Sequence, residues 1–163
     1  MAIRNLVASK PLYWQDLPRV VIHDKHLAHC LQPGDVVIPS RGDYYKAWLF
    51  EGADESVFPV GQLNVISPGE GLDARYLVWY LNQKLTQAKV GLMLTGTGIK
   101  ALTKTALLTL EVEVPPLSKQ RQIAELDYTT QQIMAVRHRL NELDRDEIAY
   151  LTKQILQEGR GHA

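Results

Sequence analysis

The sequence predicts an α+β protein: a globular head of short strands with a packed helix, followed by one long α-helix forming a coiled-coil stalk. Three observations predict it. Short β-branched runs alternate with Gly- and Pro-containing turns over the first two thirds of the chain. One segment, after Asp73, repeats apolar residues at three- and four-residue steps. From Ser118 to about Gln157 a helical pattern runs without a single Gly or Pro. The expected boundaries are a head over 1–116, a long dimerisation or partner-docking helix over 117–157, and a flexible tail over 158–163.

Composition narrows the class before any element is placed. The chain has 163 residues, 45% of them hydrophobic and 22% charged, which suits one domain with a real core plus an appendage. Formal net charge is zero, so bulk charge says nothing about a nucleic-acid partner. A single cysteine, Cys30, excludes an internal disulfide framework and fits a reducing compartment. No run approaches the length of a membrane span, and the first residues lack the apolar core expected of a secretory leader. The expectation is a cytoplasmic protein with no membrane partner.

Taken in order, Pro11–Trp14 reads as a segment laid over the core, and Val20–Ile22 as a short strand. His23–Leu31 has room for a helical turn, and Gln32-Pro33-Gly34-Asp35 carries turn chemistry. Val36–Ile38 and Ala47–Phe50 read as the two arms of a hairpin. Val57–Pro59 and Gln62–Ile66 read as further strands. Asp73 caps a helix of about Ala74 to Gln87, with Tyr76, Leu77, Tyr80, Leu81 and Leu85 on its buried face. Val90–Thr95 reads as a strand, Gly96-Thr97-Gly98 as a loop, and Ile99–Thr105 as a short helical or irregular piece. Leu107–Val114 alternates apolar and polar residues with a period of two, the clearest strand pattern in the chain. Pro115-Pro116 ends it, because neither proline offers an N–H to a ladder, and Ser118 stands where an N-cap is expected.

Along the final helix Leu126, Ile133 and Leu140 fall seven apart, with Ile123, Val136, Leu143, Leu151 and Ile155 at neighbouring positions. Arg137 and Glu147 interrupt a strict heptad, leaving a broad stripe. A rod of roughly 58 Å, at 1.5 Å per residue, cannot bury such a stripe against a head of this size. The stripe asks for a partner helix, from another copy or another protein. A break near Asn141 to Asp146 with the helix folding back is the bland alternative.

Several patterns invite chemistry and fail on context. Gly96-Thr97-Gly98-Ile99-Lys100-Ala101 imitates a dinucleotide fingerprint, but the crossover helix of a βαβ unit does not fit before Leu107. His23, His26 and His29 are spaced by three, yet no second Cys or His cluster completes a tetrahedral metal site. Cys30 has no base fixed beside it. No nucleophile elbow, P-loop, zincin motif or methyltransferase Asn-Pro-Pro-aromatic motif occurs. The expectation is a non-enzyme with no catalytic residues, no metal and no cofactor.

Charge placement is more telling than charge sum. From Ala74 to Leu110 there is no Asp or Glu, while Arg75, Lys84, Lys89, Lys100 and Lys104 lie there. Cations interleaved with Thr, Gly and Gln suit a phosphate backbone. A second candidate surface is the hairpin tip Ser40–Lys46, with two aromatics and two cations. Solvated loops are the plain alternative for both.

Three pieces in order resemble the DNA-specificity subunit of type I restriction-modification systems. They are Leu31-Gln32-Pro33-Gly34-Asp35 with the strand and loop to Gly42; Leu72–Leu81 followed by Gly96–Leu102; and, most specific, Val114-Pro115-Pro116-Leu117-Ser118-Lys119-Gln120-Arg121-Gln122-Ile123-Ala124. The last is similar to the family's Pro-Pro-Leu-x-x-Gln-x-x-Ile-Ala junction between a target-recognition domain and its helix. The resemblance covers about Leu31 to Gln157 and implies a half-subunit. Such a chain reads double-stranded DNA, pairs antiparallel with a second copy, and directs a modification (methyltransferase) subunit that supplies catalysis. If the chain reads DNA, the contacts are expected from the residue types of the two candidate surfaces, at Arg41, Tyr44, Tyr45 and Lys46 on one loop and at Thr97, Lys100, Thr103 and Lys104 on the other. Arg41 is the candidate for a guanine edge; Gln62 and Asn64 are weighed for adenine against a role at the strand end. The partner or dimer interface is expected at Gln120, Ile123, Leu126, Ile133, Val136, Leu140, Leu143, Leu151 and Ile155. A homodimeric adaptor that binds protein and no longer reads DNA is the competing reading.

Overall fold

A computed structural model describes residues 18–21, 23–96 and 100–158. The chain divides into two compact units, residues 1–124 and 125–163. The first is α+β. A three-stranded antiparallel sheet, in the order β2-β1-β3, is made of β1 (Val36–Pro39), β2 (Trp48–Leu49) and β3 (Leu63–Ile66). Val36 pairs with Leu49 on one side and with Ile66 on the other. Helices α1 (Ala74–Asn82), α2 (Lys84–Met93) and α3 (Lys104–Leu108) follow, and α4 (Leu117–Glu158) runs unbroken to the end of the described residues.

β1 is buried along its whole length, which is why it reads as a continuous apolar run rather than an alternating one. Its side chains still alternate between two layers. Val37 packs with Leu31, Phe50 and Val57 on one side. Val36 joins Ala47, Leu77 and Leu81, and Ile38 joins Tyr45, Val90 and Leu102, on the other. The turn before β1 is fixed locally. Gly34 has φ 96°, a value glycine adopts without strain, and the Asp35 carboxylate accepts from Gln32 N–H at 2.7 Å and from Ser67 Oγ at 2.6 Å.

Several sequence expectations are corrected. Val20 and Val21 form no strand and are exposed; Ile22 lies outside the described residues. Val57–Pro59 pairs with no strand, although Val57 O accepts from Leu31 N–H. The helix after Asp73 is two helices, because Gln83 takes an extended conformation (φ −64°, ψ 142°) and ends α1. That break turns Leu85 outward, 80% exposed, where one continuous helix would have buried it. Val90–Met93 is helical rather than strand. Asp73 does cap α1, accepting from the N–H groups of Arg75 and Tyr76.

Leu107–Val114 pairs with no strand either. Leu107 and Leu108 close α3, and 110–114 belongs to no strand or helix. Packing accounts for the middle of its period of two: Leu110 and Val112 lie against the α1 layer while Glu111 and Glu113 face outward, and Leu108 and Val114 are exposed. The hydroxyls of Tyr76 and Tyr80 donate to Glu113 O at 2.7 Å and to Glu111 O at 3.4 Å, in place of a neighbouring strand. Ser118 is not the cap of α4. The helix begins at Leu117, and Pro116 O accepts from Lys119 and Gln120 N–H. No break interrupts α4 near Asn141.

With only ten of the described residues in strands, irregular backbone is satisfied in part by side-chain amides. Asn82 makes a two-bond clasp with Ala47, and Gln87 donates to Tyr45 O and Leu81 O. Gln120 is fully buried. It accepts from Asp73 N–H at 2.8 Å and donates to Gly71 O at 2.9 Å and Pro115 O at 2.7 Å. These bonds pin the first turn of α4 to the segment that starts α1.

Candidate nucleic-acid interface

The two loops singled out in the sequence lie together in the first unit. Ser40 O accepts from Leu102 N–H at 2.8 Å, and Arg41 bridges to Ala101 in antiparallel fashion. Ala101 also closes the second loop on itself by two bonds to Thr95. A third segment joins them, since Ser40 N–H donates to Gln62 O at 2.8 Å and Asn64 Nδ2 donates to Leu102 O at 3.1 Å. Leu102, completely buried beside Ile38 and Val90, anchors this junction in the core. The result is a rim built from residues 40–46, 61–64, 95–96 and 100–104.

The expected contact residues fall into separate groups there. Arg41, Tyr44, Lys46, Lys100 and Lys104 are exposed. No ion pair involves any of those four cations among the described residues, whereas Arg75 is paired with Glu51. Unpaired surface cations keep their charge available for phosphates. Lys46 lies over the Trp48 ring, 5.6 Å from its centroid, which steadies the ammonium without neutralising it. Tyr45 is buried, and its hydroxyl donates to Lys100 O at 2.9 Å. Desolvation, and secondarily the nearby Asp43 carboxylate, raise its pKa above the ordinary value of 10.0. Its side chain therefore ties the two loops together and presents no surface to a ligand. Thr103 caps α3, its hydroxyl accepting from Ala106 N–H at 3.1 Å. Asn64 is committed to the same internal network. Thr97 lies outside the described residues.

Both pairings in the sheet are antiparallel, so the apparent dinucleotide fingerprint lacks the parallel strands that such a site is built on. His26 and His29 lie on a 3-10 turn with His23 just before it, and their rings are spaced 6.5 Å apart in sequence. No group of His, Cys, Asp or Glu among the described residues is placed to hold a metal.

The model of the type I restriction modification DNA specificity domain matches residues 33–145, well over half of the chain. The chain belongs to that family. The match takes in the sheet, both loops of the rim, the Pro-Pro-Leu junction and more than half of α4. Domains of this family are non-catalytic modules that recognise DNA sequence in type I restriction-modification systems. No curated protein matches the chain in sequence.

Within this family member the junction glutamine has a role that the sequence did not show. Gln120, expected at the partner interface, is instead enclosed in the first unit as the pin described above. A Gln in the first turn of a helix looks like surface, and only its neighbours Pro115 and Gly71, with carbonyls in need of donors, make it core. Ile123 is half-buried there as well. The other expected interface residues, Leu126, Ile133, Val136, Leu140, Leu143, Leu151 and Ile155, are 46–69% exposed in the single chain. No helix among the described residues is long and apolar enough to cross a membrane.

Proposed function

We propose that the first unit reads double-stranded DNA through the rim of residues 40–46, 61–64, 95–96 and 100–104. In this reading α4 pairs antiparallel with α4 of a second copy, and the assembly directs a type I modification methyltransferase subunit to its target in the cytoplasm. The observation that carries the DNA reading is the joining of two acid-poor loops by the Leu102–Ser40 and Tyr45–Lys100 bonds. Cations that are distant in sequence become one surface on which four of them stand against a single carboxylate, Asp43, with which none forms an ion pair among the described residues. Arg41 suits a guanine edge, because a planar guanidinium matches O6 and N7; Lys100 and Lys104 hold phosphates.

Pairing of α4 is supported by its exposed stripe. Burial of one Leu or Ile side chain stabilises by about 1.5–3 kcal/mol, so seven exposed ones favour a partner strongly. Charge order supports the antiparallel sense. Arg137 and Arg139 are followed by Glu142, Asp144, Asp146 and Glu147, with only Arg145 against the trend. A parallel pair sets each block beside its own sign. An antiparallel pair with its axis near Asn141–Glu142 sets basic against acidic on both sides of the axis. Two recognition units related by a two-fold read a palindromic target.

Binding of duplex DNA measured against salt tests the recognition reading. Affinity for the preferred sequence falls linearly in log–log form, as counterion release requires. Binding to protein partners with no DNA shift at low salt favours the adaptor reading instead.

A further inference from the structure

We infer that Gln62 is a specificity-determining residue of this rim, supplying its side-chain amide to an adenine edge; the inference rests on the DNA reading proposed above. Among the described residues other than glycine, Gln62 alone has positive φ, 59°, and it follows Gly61 at φ 30°. Consecutive left-handed positions are filled in turns by Gly, Asn or Asp, because a longer L side chain is strained there. Gly61 meets the requirement and Gln62 does not. Nor is a close contact the reason for its presence, because the Gln62 side chain is exposed and makes no hydrogen bond among the described residues.

Its neighbours are different. Asn64, Tyr45, Thr95 and Thr103 each have a side-chain hydrogen bond to the backbone, at Leu102, Lys100, Ala101 and Ala106 respectively. Gln62 therefore keeps a strained backbone and a free amide at one point of the rim. The backbone at that point is held, since Gln62 O accepts from Ser40 N–H and so extends the β1–β3 register by one step past Pro39–Leu63. The next residue on the β1 side is Arg41. Arg41 and Gln62 are both exposed with uncommitted side chains, and a guanidinium and a primary amide are the groups that read guanine and adenine bidentately in the major groove. A strained conformation retained at an exposed site is accounted for by that use.

The test compares the parent chain with Gln62→Gly and Gln62→Ala. Each is incubated with a pool of duplexes carrying a randomised segment, the bound fraction is sequenced, and thermal unfolding is followed in parallel. Gln62→Gly relieves the left-handed strain, so its midpoint stays equal to the parent's or rises. Its preference for adenine at one position of the enriched motif falls about 5- to 100-fold, the range set by one bidentate contact. An unchanged motif in both variants overturns the inference while leaving the DNA reading standing. If the parent enriches no motif, the DNA reading falls and this inference falls with it.

Discussion

Removing the Gln120 side chain tests how the first unit is held together. In Gln120→Leu three groups lose their partners: the Asp73 N–H and the carbonyls of Gly71 and Pro115. A buried polar group left unsatisfied costs about 1–3 kcal/mol. Gly71 is exposed and Pro115 half-buried, so water repairs part of the loss, and the expected destabilisation is about 2–4 kcal/mol. For a unit of this size that lowers the thermal midpoint by roughly 10 °C. Gln120→Glu sharpens the comparison. Its carboxylate still accepts from Asp73 N–H but opposes two carbonyl oxygens, so at pH 7 it is at least as damaging as Leu. At pH 4 part of the loss is recovered, as a protonated carboxyl donates to one of them. Urea and thermal unfolding, followed by fluorescence of Trp48 and Trp79, measure both. A loss below about 1 kcal/mol for Gln120→Leu refutes the role of the glutamine as a pin, and with it the account of the junction.

The remaining predictions concern the tyrosines, the rim and the long helix. Burial first, then the Glu113 charge and then Tyr80, raise the pKa of Tyr76, and burial raises that of Tyr45. The folded protein therefore holds these phenol protons above pH 10.0 while the unfolded chain releases them. Stability is full below pH 10.0 and declines as pH rises toward the folded values, and the decline is shallower in Tyr76→Phe, by equilibrium unfolding at successive pH values. At neutral pH the same substitution costs about 1 kcal/mol for the lost bond to Glu113 O. In DNA titrations Lys100→Ala weakens all sequences alike and reduces the salt slope by about 1, whereas Arg41→Ala relaxes preference at one base pair by about 1–3 kcal/mol; the reverse pattern refutes the assignment. Leu140→Asp places a charge in the exposed stripe and lowers self-association at least tenfold by analytical ultracentrifugation, and wild-type protein that is monomeric at micromolar concentration refutes the pairing of α4.

How far the fold was legible depended on whether a signal was local. β1 to β3 and the cap at Asp73 rest on neighbouring residues: a Pro-Gly turn, β-branched runs and a carboxylate two and three residues before its N–H partners. Those positions were readable. Leu107–Val114 was not, because period-two alternation reports one-sided burial and cannot tell a neighbouring strand from two tyrosine hydroxyls of α1. The break at Gln83 left no Gly or Pro, so Leu85 was placed on a face that ceases to exist past Asn82. In the rim, cations were found because charge shows in composition, and the two loops that carry them do meet. Tyr45, Thr103 and Gln120 share a feature that the sequence does not show. Each is a polar residue in a polar stretch, and only the fold shows that its partner is an internal backbone group.

The central claim, that this chain brings sequence preference to a type I modification subunit, is tested most directly by the methylation it imposes. The chain is co-produced with a modification subunit, and all methylated sites in the host DNA are sequenced with and without it. The account predicts a new, palindromic two-part motif that appears only when the chain is present and is lost on Arg41→Ala. Identical methylation in the two cells, with the chain and the modification subunit co-purifying, contradicts it.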